Sequence, residues 1–351
     1  MSISSNRAYL DWNATAPLRP EARAAMISAM DVVGNPSSVH SEGRAATAII
    51  ERARAQVAEA FGAQSADIVF TSGATEAAAL ALADRGIHCG GIEHDCVATW
   101  CMPDLPVDRN GIVTVAEPDK SALQLANSET GVVQEIPQGL AVCDAVQAFG
   151  KIPTAFDWSG AMMALLSAHK IGGPEGAGAL VVRQGTDIAA RIKGGGQEMG
   201  RRSGTENLIG IAGFGAAAEA AAKDLAAGVW DAVDEMRISL EERLANGAMD
   251  AIFIGRDSKR LPNTTCIAVP GWKGDTQVMQ MDLAGFAISA GSACSSGKVK
   301  SSRVLKAMGY DEMTAASAIR VSIGPQTRSS EVMAFADAWL RQYEKFRARA
   351  A

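Results

Sequence analysis

The chain has 351 residues, 48% hydrophobic and 21% charged, with 35 glycines. At about 150 residues per domain it has the length of two domains, with the composition of a globular protein and not of a disordered or fibrous one. Its 39 acidic and 33 basic side chains leave a net charge of −6, the wrong sign for a broad nucleic-acid-binding face. No apolar run approaches the roughly 20 residues of a membrane span, and the opening MSISSNRAYL lacks the charged-then-apolar order of a secretion signal. The 6 cysteines are too few for a disulfide scaffold in a chain of this length, so a cytoplasmic protein with reduced thiols is expected.

Ile49, Ala53, Val57, Ala60 and Phe61 recur at helical spacing, which predicts an amphipathic helix from Ser41 as N-cap to Gly62 as C-cap. Asp67–Thr71 is a short apolar run followed by Ser72-Gly73-Ala74-Thr75 and then by alanines with Leu80, a strand, turn and helix in succession. The runs Leu140–Cys143 and Gly178–Val182 are bounded by Gly and Pro, as buried parallel strands are. An α/β fold follows, with a mostly parallel central sheet in an αβα sandwich over the first two thirds. Residues 207–247 turn helical and charged. Strands at Ala251–Ile254, Thr265–Val269, Phe286–Ser289 and Ala318–Ile323, with helices at Ser301–Met308 and from Ser329 onward, predict a smaller α+β domain.

Several residues in this frame carry chemistry. Ser72-Gly73-Ala74-Thr75 opens a helix directly after a strand, where unpaired N–H groups and the helix dipole favour an anion such as phosphate; an ordinary Ser/Thr cap is the competing reading. Lys170, between Ser167-Ala-His169 and a glycine-rich stretch, suits a Schiff-base lysine, or the base of a Ser-x-x-Lys pair whose usual companion motifs are absent, or a plain surface lysine. Asp144 closes the Leu140–Cys143 strand, where it can pair with a protonated pyridine nitrogen or cap a helix, with Gln147 one turn later. A phosphate cradle, an aspartate and a lysine, each just past a strand, are what pyridoxal phosphate requires. His94 can stack on a planar cofactor and move a proton. With Cys89, Cys96 and Cys101 it also offers a metal reading, although the paired Cys-x2-Cys spacing of structural zinc is missing. Cys294 lies among small residues, Ser289–Gly297, near Lys298 and Lys300, which favour a reactive thiolate. Arg320 alternates with Ile319 and Val321, so it faces away from their apolar side, as a carboxylate clamp or a surface ion pair.

Over nearly its whole length the chain resembles the cysteine desulfurases, class-V aminotransferase superfamily enzymes of the fold-type I group that use pyridoxal 5'-phosphate. The motifs include Tyr9–Pro17, Gly34–His40, Phe70–Glu76, Glu93-His94, Asn127–Gln134, Asp144–Gln147, Ser167–Pro174, Gly194–Glu198, Arg202–Thr205, Gly291–Ser296 and Ile319–Ser322. The resemblance implies a large cofactor-binding domain over residues 14–225 and a small domain from 1–13 and 226–351 that carries the cysteine loop. It implies that Lys170 holds the cofactor, Asp144 pairs with its pyridine nitrogen, and His94 stacks on the ring. Ala74, Thr75, Ser167 and His169 would take the phosphate, with Thr205 from the other subunit of a homodimer. Gln147 would meet the phenolic oxygen, while Asn35 and Arg320 would hold the carboxylate of L-cysteine. Cys294 would receive the sulfur as a persulfide, leaving alanine, and pass it to an acceptor protein such as an iron–sulfur scaffold; no metal is implied. An aminotransferase or selenocysteine lyase of the same superfamily is the alternative enzyme, and a metal or sulfur-relay module the alternative of another class. Ser128 stands where the family usually has a second asparagine, the stretch from His94 to Asn127 is short, and the long tail of housekeeping members is missing after the last helix.

Overall fold

The computed structural model describes residues 7–291 and 301–350. Its strands are β1 (Ala8–Tyr9), β2 (Ala66–Thr71), β3 (His88–Gly90), β4 (Met102–Leu105), β5 (Ala122–Gln124), β6 (Val142–Asp144), β7 (Met163–Ser167), β8 (Gly178–Arg183), β9 (Ile252–Phe253), β10 (Thr264–Ala268), β11 (Phe286–Ala287), β12 (Ser289–Ala290) and β13 (Ala318–Ser322). The helices are α1 (Pro20–Met30), α2 (Ser41–Ala60), α3 (Ala74–Leu82), α4 (Asp95–Ala98), α5 (Phe156–Ser159), α6 (Leu208–Ala226), α7 (Val229–Gly247), α8 (Gly274–Leu283), α9 (Arg303–Ala307), α10 (Glu312–Ala316) and α11 (Ser329–Ala350).

The main sheet has the order β2-β8-β7-β6-β5, and a bridge from His88 to Ser121 joins the β3-β4 pair to its β5 edge. Both faces are covered, and residue alternation along each strand shows it. Ile68, Phe70, Ala164, Leu166, Ala179 and Val181 enter one core with Ala53 and Val57 of α2 and Phe214 of α6. Val69, Met163, Leu165, Leu180 and Val182 enter another with Ala77, Ala78 and Leu80 of α3. A strand buried on both faces is apolar at every position, which is the pattern read in the sequence. The expectation for Gly178–Val182 needs correcting, because β8 runs antiparallel to both β2 and β7. β5, β6 and β7 are parallel, as expected.

Helix α2 begins as predicted at Ser41, but the capping side chain is His40, whose Nδ1 accepts from the Gly43 N–H. Ser41 Oγ instead donates to Glu42 at 2.8 Å. Gly62 ends the helix in the left-handed region at φ 56°, with the Ala63 N–H closing onto Ala58 O at 2.8 Å.

The second sheet, β12-β13-β10-β9, is antiparallel. Ile267, Ile319 and Val321 pack on one side against Trp230, Leu240, Phe335 and Trp339 of α7 and α11. The predicted strand over Phe286–Ser289 is two strands: β11 pairs in parallel with β1, while β12 pairs with β13. Through β1 the start of the described chain is fixed beside residues nearly 280 positions away, Ala8 opposite Phe286. Among the described residues no helix is long and apolar enough to cross a membrane.

Candidate active site

The carboxyl ends of β6 and β7, the turn after β2 and the inner face of β13 meet around a cavity of about 610 Å³. Ligands of an open α/β sheet bind beyond the carboxyl ends of its strands, which accounts for its place. Lining it are Ser72, Gly73, Ala74, Thr75, His94, Asp144, Gln147, Ser167, His169, Lys170 and Arg320.

The turn between β2 and α3 owes its shape to two glycines. Gly73 has φ 155°, and an ideal Cβ on Gly178 would lie 2.6 Å from Gly73 Cα and 2.7 Å from Leu166 O, so β8 can approach only without a side chain there. Gly73 caps α3 without any side-chain hydrogen bond, and the competing reading of a Ser/Thr cap fails. Glu76 accepts from the Ser72 N–H at 2.7 Å and from Arg202 Nε at 2.8 Å, which fixes the turn from behind.

Asp144, the last residue of β6, is buried, and its Oδ1 accepts from the Val146 N–H at 3.0 Å. Burial raises its pKa, opposed by that N–H and by the charges of His94 and Lys170. Glu93 is fully buried nearby, with Oε1 accepting from the Gln124 N–H at 2.8 Å. Burial, then the Asp144 charge, push the Glu93 pKa well above the usual carboxylate range.

Lys170 follows β7 in a single 3₁₀ turn, Ala168–Lys170, and its Nζ donates to Asn13 O and Ala14 O, each at 2.7 Å. His169 Nδ1 lies 3.2 Å from Thr15 Oγ1, and burial, followed by the charges of Lys170 and Lys151, lowers its pKa to about 4, so this imidazole is neutral. His94 caps α4 through Nδ1, which accepts from the Cys96 N–H at 3.2 Å and lies 3.0 Å from Cys96 Sγ. An accepting Nδ1 puts the proton of the neutral ring on Nε2. Arg320 is buried on the face of β13 opposite Ile319 and Val321, as its alternation predicts. It is no surface salt bridge: it pairs with Asp11 at 2.7 Å, donates to Ser128 O at 3.0 Å, and has no partner for Nε among the described residues.

Thus Lys170, His94, Asp144, Gln147, Ala74, Thr75, Ser167, His169 and Arg320 share one cavity. Asn35 and Thr205 are exposed and do not line it; Asn35 Oδ1 accepts from the Ser37 N–H at 2.9 Å. Cys294 lies outside the described residues. Cys89 is buried, and Cys101, then burial, push its thiol pKa up. Among the described residues no three His, Cys, Asp or Glu side chains gather as a metal centre would require. The sequence reading assigned no role to Asp11, Asn13 or Lys151, yet Asp11 and Asn13 line the cavity and Lys151 hydrogen-bonds to Asn13 and Gln147.

A model of the class-V aminotransferase family matches residues 8–94 and 116–335, leaving out most of the stretch read as short. A cysteine desulfurase of Cereibacter sphaeroides is 38% identical over 93% of each chain. Cysteine desulfurase IscS of Dictyoglomus turgidum is 36% identical over 97% of this chain and 95% of its own. A NifS-like protein from Rickettsia africae superposes with TM-score 0.87 at 32% identity, covering 96% of this chain and 99% of that one. SspA in complex with cysteine superposes with TM-score 0.74 at 28% identity, over 92% of this chain and 100% of that one. The chain belongs to the class-V aminotransferase family, among its cysteine desulfurases, and has their fold-type I architecture.

Proposed function

We propose that this chain is a pyridoxal-phosphate-dependent cysteine desulfurase that converts L-cysteine to L-alanine and delivers the sulfur, as a persulfide on Cys294, to an acceptor protein. The observation that carries this reading is the meeting, in one cavity, of the start of α3, where no side chain caps the helix, the buried Asp144 carboxylate and the Lys170 amine. The residues present fit the cofactor. The first-turn N–H groups of α3 at Ala74 and Thr75, with Ser167 and His169, offer donors to a phosphate. A carboxylate and an amine stand at the ends of adjacent strands for the ring nitrogen and the aldehyde. Gln147 is the neighbour for the phenolic oxygen and His94 for the ring face. The cavity is also large enough for a ligand of this size.

When bound, the protonated pyridine ring draws electrons from the substrate α-carbon. Asp144 keeps that ring nitrogen protonated. Lys170 takes the α-proton at Nζ, which the Asn13 and Ala14 carbonyls hold in place. Arg320 orients the substrate carboxylate. His94 moves a proton at Nε2. The Cys294 thiolate attacks the substrate sulfur, forming an S–S bond as the C–S bond breaks.

Cysteine as substrate is supported by the names of the relatives and by cysteine in the SspA structure. The destination of the sulfur in this reading is iron–sulfur cluster assembly or related thio-cofactor synthesis, in keeping with the IscS relative. Exposure of Asn35 and Thr205 away from the cavity of a single chain supports a homodimer in which Thr205 serves the neighbouring site. The separation of the main sheet, within residues 66–183, from the second sheet, within 252–322, supports a cofactor domain over 14–225 and a smaller one from 1–13 and 226–351.

The test is the mass of the intact protein and its peptides after brief exposure to L-cysteine without reductant, with alanine measured in the same sample. One added sulfur on Cys294 together with alanine is expected. Bound cofactor with neither adduct nor alanine would point to an aminotransferase or lyase instead. Lys170→Ala should fold and lose turnover.

A further inference from the structure

Lys151 is 2% exposed, an extreme burial for a lysine. The charged groups that face it are Lys170 and Arg320, both cations, and burial followed by these two charges pushes its pKa well below the usual lysine range. No ion pair holds it among the described residues. Its Nζ donates instead to two amide oxygens, Gln147 Oε1 at 2.6 Å and Asn13 Oδ1 at 3.0 Å.

The other hydrogen bonds of both amides agree on which atom each turns to the lysine. Asn13 Nδ2 donates to Ser128 O at 3.2 Å and to Thr264 Oγ1 at 2.8 Å, so Oδ1 is the atom turned to Lys151. That oxygen also accepts from Asn263 Nδ2 at 3.0 Å. Gln147 Nε2 donates to Asn13 O at 3.0 Å, and a backbone carbonyl can only accept, so Oε1 is likewise the atom turned to Lys151. A primary amide nitrogen carries two hydrogens. One is used on Asn13 O, and Gln147 lines the cavity, so the second is the hydrogen it offers to a ligand. Asn13 O also accepts from Lys170 Nζ at 2.7 Å, which ties the same cluster to the reacting amine.

We propose that Lys151 is a positioning residue: by donating to Gln147 Oε1 and Asn13 Oδ1 it prevents the Gln147 amide from turning over, so that Gln147 presents an N–H to the cofactor's phenolic oxygen. This rests on the reading of the cavity as a pyridoxal phosphate site. With the amide reversed, its oxygen would face a phenolate and repel it. With the amide held, the N–H draws off phenolate charge that would otherwise favour a proton on the adjoining lysine-linked nitrogen.

The experiment is a pH titration of the visible absorption of the lysine-bound cofactor, without substrate, in the full-length protein, in Lys151→Met and in the same change on a Gln147→Met background. A hydrogen bond to a charged group of the ordinary strength corresponds to a rise of about one pH unit in the midpoint when it is lost. Lys151→Met is expected to show that rise, and to add nothing to the rise that Gln147→Met produces alone. An unchanged midpoint in Lys151→Met, or an equal further rise in the Gln147→Met background, overturns the proposal. Lys151→Leu, which likewise has no hydrogen to donate, carries the same comparison where the methionine variant does not fold. Wild-type protein that shows no lysine-bound chromophore would refute the cofactor reading itself, a different failure from an unmoved midpoint.

Discussion

Glu129→Gln should change how stability depends on pH, because Glu129 is a carboxyl buried with too few partners. It follows Ser128 near the cavity, faces Ser302, Arg320 and Arg303, and has no hydrogen-bond partner for Oε1 among the described residues. The packing there is close: an ideal Cβ on Gly291 would lie 2.3 Å from that oxygen. Burial pushes its pKa from 4.5 to about 7, against the pull of Ser302 and the two arginines. In the unfolded chain the group ionises at its ordinary pKa. Between pH 4.5 and about 7, therefore, the folded protein keeps a proton that the unfolded chain has released, and stability falls as pH rises through that window. Above it the loss levels off at about 3 kcal/mol, from the linkage of about 1.4 kcal/mol for each pH unit between the two pKa values. Glutamine cannot ionise, so the variant lacks this loss. A buried amide has a cost of its own, but that cost is the same at every pH and leaves the slope untouched. Urea denaturation of both proteins at pH 5, 6, 7 and 8, at one protein concentration, reads the difference. Glu129→Gln should gain on the wild type by about 2.5 kcal/mol between pH 5 and pH 8, part of the loss having already occurred at pH 5. A difference that stays flat across the range would refute the reasoning.

Glu198→Ala should destabilise the fold by about 1–3 kcal/mol, measured by denaturation, because it leaves the buried Phe70 N–H without its acceptor and takes from Arg54 one of its two carboxylates, the other being Glu51. The Glu198 carboxylate, whose side chain is 1% exposed, accepts from Arg54 at 2.9 and 3.0 Å and from the Phe70 N–H at 2.8 Å. Gly178→Ala should weaken cofactor retention at least about tenfold, since the new methyl meets backbone atoms of the turn between β2 and α3 and of β7 that cannot swing aside; unaltered affinity in an absorbance titration would show that the turn tolerates the shift. Asp11→Asn should raise the KM for L-cysteine several-fold with little change in kcat, on the order of the 1–2 kcal/mol of one charge-assisted hydrogen bond, because Asp11 fixes one edge of the Arg320 guanidinium. A fall in kcat at constant KM would instead remove Arg320 from carboxylate binding.

The parts of the site that were legible in the sequence are those set by local chain geometry. Ser72–Thr75, Asp144 and Lys170 each follow a short apolar run directly, and an open sheet places whatever follows such runs at its carboxyl edge. The direction of β8 was not legible from composition, because a strand covered on both faces is apolar whichever way it runs. A signal was nonetheless present. The connection from Ala168 to Ala177 is shorter than the dozen or so residues a parallel crossover needs, which already implies an antiparallel return.

Asp11 and Asn13 gave no such signal, because their place depends on pairing over most of the chain. Ala8 and Tyr9 pair with Phe286 and Ala287, and Asp11 bridges to Ser322, so this segment reaches the cavity only once the second sheet has formed. Lys151 was concealed differently. A lysine after a turn reads as solvated, and burying one without a carboxylate is costly unless every donor finds an acceptor. The acceptors are side chains of Gln147, four residues earlier, and of Asn13, far off in sequence. Those acceptors meet Lys151 where the N-terminal segment crosses the turn after β6, so the residue hardest to read in the sequence is the one joining the long-range contact to the locally built part of the site.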